Sequence, residues 1–259
     1  MSGVEIDTAF FDGNHAEEIE VWGAYEPDVE HGDERVVRGE YEGWRCLLGR
    51  RKCGASRRQA WVVPEQEEEE GKGLITHVKL CMFPDGGIAR FRLYGHAIPI
   101  WPSDTTAEVE LSAAVMGGVV VSCSDEHFGR AGNLLLPGRG VDMGDGWETR
   151  RSRGRGEGVG DWVVVRLGAR GRVGKVVVDT AFFRGNFPRG VRVEGVDVGS
   201  GEGVVGGDDE RWREVLGVRG CEGDREHVFG VEGRVCTHLK MVILPDGGVK
   251  RFRVFGTRV

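Results

Sequence analysis

The strongest constraint on how this chain can fold is that it says the same thing twice. Asp7-Thr8-Ala9-Phe10-Phe11-Asp12-Gly13-Asn14 recurs as Asp179-Thr180-Ala181-Phe182-Phe183-Arg184-Gly185-Asn186, differing only where Asp12 stands against Arg184. Trp44-Arg45 with Leu48-Gly49 returns as Trp212-Arg213 with Leu216-Gly217. The stretch from Thr76-His77 through Pro84-Asp85-Gly86-Gly87 to Tyr94-Gly95 returns from Thr237-His238 through Pro245-Asp246-Gly247-Gly248 to Phe255-Gly256. Blocks that recur in one order predict two like modules, not one irregular domain. Matched blocks lie further apart in the first copy, which predicts surface insertions there, among them the acidic run Glu65 to Glu70, a solvated loop. The second copy carries a long stretch ahead of Asp179 that has no counterpart ahead of Asp7. The expected division is therefore a partial first repeat over 1–102 and a complete second repeat over 103–259.

Short valine-rich runs among 44 glycines predict strands and turns and disfavour an all-α fold. Strands are expected at Trp162 to Leu167, Lys175 to Val178, Val191 to Val196, His238 to Leu244 and Val249 to Phe255, with glycine-rich turns between them. The fold class is all-β, an antiparallel sandwich or jelly roll. Pro-Asp-Gly-Gly reads as a four-residue hairpin loop closed by Leu244 and Val249. That register puts Leu239, Met241, Phe252 and Val254 on one face and His238, Lys240, Arg251 and Arg253 on the other. The first copy gives Leu80, Met82, Phe91 and Leu93 inward, with His77, Lys79, Arg90 and Arg92 outward.

Charge narrows the function classes. A net charge of −7 argues against a nucleic-acid backbone or an anionic membrane as main partner. The Arg150-Arg151-Ser152-Arg153-Gly154-Arg155 tract lacks interleaved aromatics and is not read as RNA-binding. No apolar run approaches the roughly 20 residues of a membrane span, and the first residues do not form a secretion signal. The six cysteines show no C-x-x-C pair and no dense framework, so reduced thiols and a cytoplasmic location are expected.

At this point the sequence resembles the allantoicase family. The second copy carries Ser124-Asp125-Glu126 with Phe128 and Asn133, Asp145-Gly146-Trp147-Glu148-Thr149-Arg150-Arg151, and Asp161-Trp162. The Asp-Thr-Ala-Phe-Phe-x-Gly-Asn block and the Thr-His…Pro-Asp-Gly-Gly…Arg-Phe-Arg block follow in the order of that family. The resemblance implies tandem jelly-roll modules related in shape to galactose-binding-type sandwiches, assembled as a homo-oligomer. It also implies hydrolysis of allantoate to ureidoglycolate and urea in purine catabolism. The first copy lacks counterparts of Asp145 to Arg151 and of Asp161-Trp162, which puts in question any site needing both complete modules.

The substrate that the resemblance implies has a carboxylate and two ureido groups on one carbon, and its chemistry selects residue types. Arginine forks suit the carboxylate, making Arg251, Arg253, Arg150, Arg151, Arg90 and Arg92 candidates; each competes with a solvated or ion-paired reading. His238 and its counterpart His77 can exchange protons near neutral pH, against the alternative of a hydrogen-bonded structural histidine. Glu148 and Asp179 could act as carboxylate partners, and Asn186 as a ureido ligand or a turn residue. Asp246, between proline and glycine, reads as turn chemistry. The seven histidines include no H-x-H or H-x-x-x-H pair and the cysteines lack zinc spacing, so neither metal nor cofactor is expected. No nucleophile elbow or activated cysteine is present, which leaves acid- and base-assisted water attack or urea elimination. A reading from another class is a catalytically inactive sandwich that binds a small ligand or partner.

Overall fold

A computed structural model of the protein describes residues 1–27, 34–38, 40–64, 73–152, 156, 158–199 and 205–259. The run Glu65 to Glu70 and the residues Arg153-Gly154-Arg155 lie outside the described residues. The chain divides into two compact units, Met1–His96 and Ala97–Val259. Among the described residues the units are all-β apart from a single helical turn at Glu34–Val37 and three short 3-10 turns.

In unit 1 the strands are β1 (Gly3–Asp7), β2 (Glu18–Ala24), β3 (Arg45–Lys52), β4 (Arg58–Val62), β5 (His77–Phe83) and β6 (Arg90–Tyr94). They form two antiparallel three-stranded sheets, ordered β4-β1-β6 and β3-β2-β5. In unit 2 the strands are β7 (Val109–Glu110), β8 (Val119–Cys123), β9 (Trp147–Glu148), β10 (Asp161–Asp179), β11 (Gly190–Val196), β12 (Arg213–Gly220), β13 (Glu226–Leu244), β14 (Gly248–Val249) and β15 (Arg251–Arg258).

The two longest strands of unit 2 each serve both layers. The first half of β10 pairs with the end of β13 and with β8. Its second half pairs with the start of β13 on one edge and with β15 on the other. Alternation explains the packing: Val163, Val165 and Leu167 at one end, and Val173, Val176 and Val178 at the other, are all buried in one core. Leu239, Met241 and Ile243 join it from β13, and Phe252 and Val254 join it from β15.

Two expectations change. The glycine-rich stretch after Leu167 is not a turn, because β10 runs through it with register shifts that mark bulges. Glycine is needed there for close approach: a Cβ at Gly168 would come 1.9 Å from the Met116 carbonyl oxygen. Pro-Asp-Gly-Gly does not close a hairpin either. The end of β13 pairs with β10 and β11, whereas β15 pairs with the far half of β10 and with β7. The element therefore crosses from one layer to the other. His238 and Lys240 sit on the outer side of one layer, and Arg251 and Arg253 on the outer side of the other.

The repeat aligns β1 with the second half of β10, β2 with β11, β3 with β12, β4 and β5 with the two ends of β13, and β6 with β15. Among the described residues, unit 1 has no counterpart of β7, β8, β9 or the first half of β10. Side chains expected to point inward suffer accordingly. Met82 is 41 % exposed where its counterpart Ile243 is buried, and Leu93 is 42 % exposed where Val254 is buried. Leu80 and Phe91 are half-buried.

Candidate functional site

Three of the repeated or characteristic blocks converge at one end of unit 2. The Asp179-to-Asn186 block begins as a tight turn in which the Ala181 N–H donates to Asp179 Oδ1 at 2.9 Å and the Phe183 N–H to the Thr180 carbonyl at 2.9 Å. Phe182 sits between them at φ 69, a left-handed conformation that aromatic residues adopt only under local constraint; here its N–H is held by Asp224 Oδ1 at 2.8 Å. Phe10 in unit 1 has the same φ of 69, so the strain is written into the repeated motif.

The Asp145-to-Arg151 block threads past this turn and is pinned on both sides. Trp147 is fully buried and its indole donates to the Asp125 carbonyl at 2.8 Å. The Arg150 N–H donates to Asp125 Oδ2 at 2.7 Å, and the Thr149 N–H to the Gly247 carbonyl at 3.2 Å. The Ser152 N–H donates to Asp246 Oδ2 at 2.6 Å, so Asp246 braces the block in addition to shaping its own turn. Glu148 is thereby brought to Asn186, whose amide donates to Glu148 Oε1 at 2.5 Å. Arg151 reaches the Gly185 carbonyl at 3.1 Å, and the Arg150 and Arg151 side chains are both exposed. Three of the candidate residues (Glu148, Arg151 and Asn186) thus meet on one partly open surface, with the exposed Arg150 next in the chain to Arg151.

Beside it lies a cationic cluster that is closed. Arg251 is 1 % exposed; its Nε donates to the Gly138 carbonyl at 2.9 Å, Nη1 to the Asp145 carbonyl at 2.7 Å, and Nη2 to Asp145 Oδ2 at 2.8 Å. Lys250, with no exposed surface, pairs with the same Asp145 carboxylate. Burial lowers the pKa of both cations, with each one's arginine neighbour adding to the effect. Arg253 is engaged by Glu110 at 3.0 Å and by the Gly138 carbonyl at 2.7 Å. Asp179, also buried, is held bidentately by Arg139 at 2.7 and 2.9 Å. Arg251, Arg253 and Asp179 are therefore committed to one another's surroundings, which differs from the open cationic face expected of a hairpin.

His238 is elsewhere. Its Nδ1 lies 3.0 Å from the Thr237 hydroxyl, and burial followed by Arg166 and Arg211 lowers its pKa, which favours the neutral ring. Next to it Lys240 lies 5.1 Å from the Trp212 ring. Unit 1 repeats the arrangement, with His77 2.9 Å from the Thr76 hydroxyl and Lys79 4.8 Å from the Trp44 ring. Arg92 donates to Glu5 at 2.6 Å, and Arg90 to the Ala89 carbonyl at 2.6 Å.

Sequence reasoning did not single out Lys250, Arg139 or the bracing role of Asp125. Lys250 borders a chosen arginine, but nothing in a lysine letter announces complete burial. Among the described residues no group of His, Cys, Asp and Glu is arranged to hold a metal ion, and no helix is long and apolar enough to cross a membrane.

A family model described as the allantoicase repeat matches residues 1–98 and 109–259. An allantoicase of Neurospora crassa is 50% identical, the match covering 100% of this chain and 71% of that protein. A probable allantoicase of Schizosaccharomyces pombe is 44% identical over 100% of this chain and 72% of that protein. The crystal structure of allantoicase from Saccharomyces cerevisiae superposes with a TM-score of 0.77 at 41% identity, covering 99% of this chain and 73% of that one.

Proposed function

This chain belongs to the allantoicase family, and from that premise we propose that it hydrolyses allantoate to ureidoglycolate and urea, with unit 2 as its working module. The observation that supports the site assignment is the meeting of Glu148 and Asn186 at 2.5 Å, with the exposed Arg151 reaching the neighbouring Gly185 carbonyl. In the reaction, the bond between the central carbon and one ureido nitrogen breaks, that nitrogen gains a proton, and water supplies the hydroxyl that replaces it.

Each residue then has a task. Arg150 and Arg151 take the substrate carboxylate, since a guanidinium fork can bond both oxygens. Asn186 holds one oxygen of Glu148, which leaves the other to take a proton from water and pass it to the departing nitrogen. His238 lies on another layer of unit 2, beside the Thr237 hydroxyl, and takes no part in this group. The exposed apolar side chains Met82 and Leu93 support assembly of several copies, which a native mass measurement tests.

The test is urea release from allantoate by the purified chain. Glu148→Gln should lower turnover by about 10²- to 10⁴-fold, the usual size of an acid–base contribution, while Arg150→Ala and Arg151→Ala should raise KM. Full activity in Glu148→Gln would remove the site assignment. Thermal stabilisation by allantoate without any urea would favour a binding protein over an enzyme.

A further inference from the structure

Glu148 and the two arginines answer to the proton and the carboxylate of the substrate, and none of them offers a face to its flat ureido groups. The loop from Asp125 to Gly129 does. It runs along β9 on the edge away from β14, so that Glu148 pairs with Gly248 on one side and with Gly129 on the other. The Phe128 and Gly129 N–H groups both donate to the Glu148 carbonyl, at 3.1 and 3.2 Å, and the Glu148 N–H returns a bond to the Gly129 carbonyl at 3.3 Å. Two residues set against one make a β-bulge, which breaks strict alternation and re-aims a side chain. Gly129 has none to aim, since a Cβ there would come 2.4 Å from the Gly146 carbonyl oxygen. The bulge therefore turns Phe128 to the face of Glu148, while Asn186 reaches Glu148 from the opposite edge, where its carbonyl accepts from the Gly248 N–H at 2.7 Å.

Single apolar side chains on a surface are ordinary. What sets Phe128 apart is that its ring is 64 % exposed on a loop tied down at every step. The Ser124 hydroxyl donates to Asp161 Oδ1 at 2.8 Å. Asp125 Oδ2 accepts from the N–H groups of His127 at 3.3 Å and Arg150 at 2.7 Å. Glu126 accepts from the Ala131 N–H at 3.0 Å and pairs with Arg130. The His127 ring stands edge-on to Phe128, with 4.5 Å between centroids and 78° between planes. An aromatic face held this firmly in water is ready for a ligand without further ordering.

We propose that Phe128 is the platform on which one ureido group of allantoate lies, the group whose nitrogen meets Glu148, and that His127 holds the ring at its working angle. This rests on the hydrolytic reading of the site and adds to it the recognition of the ureido group. A ureido unit is planar and π-bonded, so it stacks on an aromatic face and leaves its N–H edge to the carboxylate of Glu148. Arginine forks alone would accept any small carboxylate. Phe128 thus sets the preference for acids that carry a ureido group over those that do not.

The experiment compares two matched probes: N-carbamoylglycine, with a carboxylate and one ureido group, and acetate, the same molecule without the ureido group. Both are titrated by chemical-shift perturbation into the full chain, into Phe128→Ala and into Phe128→Tyr, with urea release from allantoate measured alongside. The unsubstituted chain is expected to bind N-carbamoylglycine about three- to tenfold more tightly than acetate. That preference should vanish in Phe128→Ala and return in Phe128→Tyr, while acetate binds all three alike. Phe128→Ala should also raise KM for allantoate by a similar factor. The proposal is overturned by equal binding of the two probes to the unsubstituted chain, by a preference that survives Phe128→Ala, or by acetate affinity that falls with it. A preference lost in Phe128→Ala, in a chain that releases no urea, would uphold the ureido platform and remove the hydrolytic reading. Urea release with the preference unaltered would do the reverse.

Discussion

Asp145→Asn is the sharpest probe of how unit 2 is held together, because one carboxylate is in direct contact with two buried cations. Lys250 has no exposed surface and Arg251 has 1 %, and both pair with Asp145. Their remaining hydrogen-bond partners are carbonyl oxygens of Asp142, Gly138, Asp145 and Lys250, while the carboxylates of Asp142 and Asp179 act on Lys250 and Arg251 through space. Removing one partner of a fully buried ion pair costs about 3–5 kcal/mol; with the Asp145 side chain 36 % exposed, solvent screening brings the expected loss to about 2–3 kcal/mol, a fall in Tm of roughly 4–12 °C for a unit of this size. The assay is differential scanning calorimetry, following the transition of the larger unit. Combining the change with Lys250→Met should recover part of the loss, since one uncompensated charge is then gone. A destabilisation below about 1 kcal/mol, or no recovery in the double variant, would refute the assignment of Asp145 as the counter-charge.

Three further outcomes follow from the same geometry. His238 has its pKa lowered from 6.5, so the unfolded chain binds the proton first as pH falls; stability should be full above 6.5 and drop as pH falls toward the folded value, and His238→Gln should flatten that part of a denaturation-midpoint profile. Trp147→Ala should cost about 3–5 kcal/mol in chemical denaturation and also depress turnover, because the buried indole anchors the backbone that carries Glu148. Phe10 is 94 % exposed at φ 69, so Phe10→Gly should stabilise unit 1 by about 0.5–1 kcal/mol in thermal melts, a relief of strain partly offset by glycine's freedom in the unfolded chain.

The duplication and the β class were legible because they depend on local patterns: identical blocks, valine alternation and turn residues. The pairing of β13 with β15 was misread for a physical reason. Leu239 and Met241 share a core with Phe252 and Val254 whether the two strands are neighbours in one sheet or face each other across a sandwich, so alternation fits both. What distinguishes them is the long β10, which takes β13 on one edge and β15 on the other, and the glycines that look like turns in its middle conceal that it is one strand. The site was half legible for a related reason. Glu148, Asn186, Arg150 and Arg151 lie within blocks that could be recognised, but the closure of Arg251 and Asp179 depends on Arg139 and Asp145, which reach them from distant positions in the sequence.

The two copies of Asp-Thr-Ala-Phe-Phe show how little a motif fixes about its own chemistry. In both, the aspartate receives the N–H two residues on, at 3.0 Å for Asp7 and 2.9 Å for Asp179, and the first phenylalanine is forced to positive φ. So the motif encodes a turn. Asp179 is then covered by Arg139 and buried to 2 % of its side chain, while Asp7 shares the half-exposed Arg92 with Glu5 at the longer range of 3.9 Å. Lys250, which in unit 2 lies 5.1 Å from the Phe182 ring, is replaced by Ala89, and Phe10 is left in solvent. Identical letters thus give a sealed ionic cluster in one unit and an open surface in the other. The difference comes from the residues that pack over the motif in unit 2, among them Arg139 on Asp179 and Lys250 against the Phe182 ring.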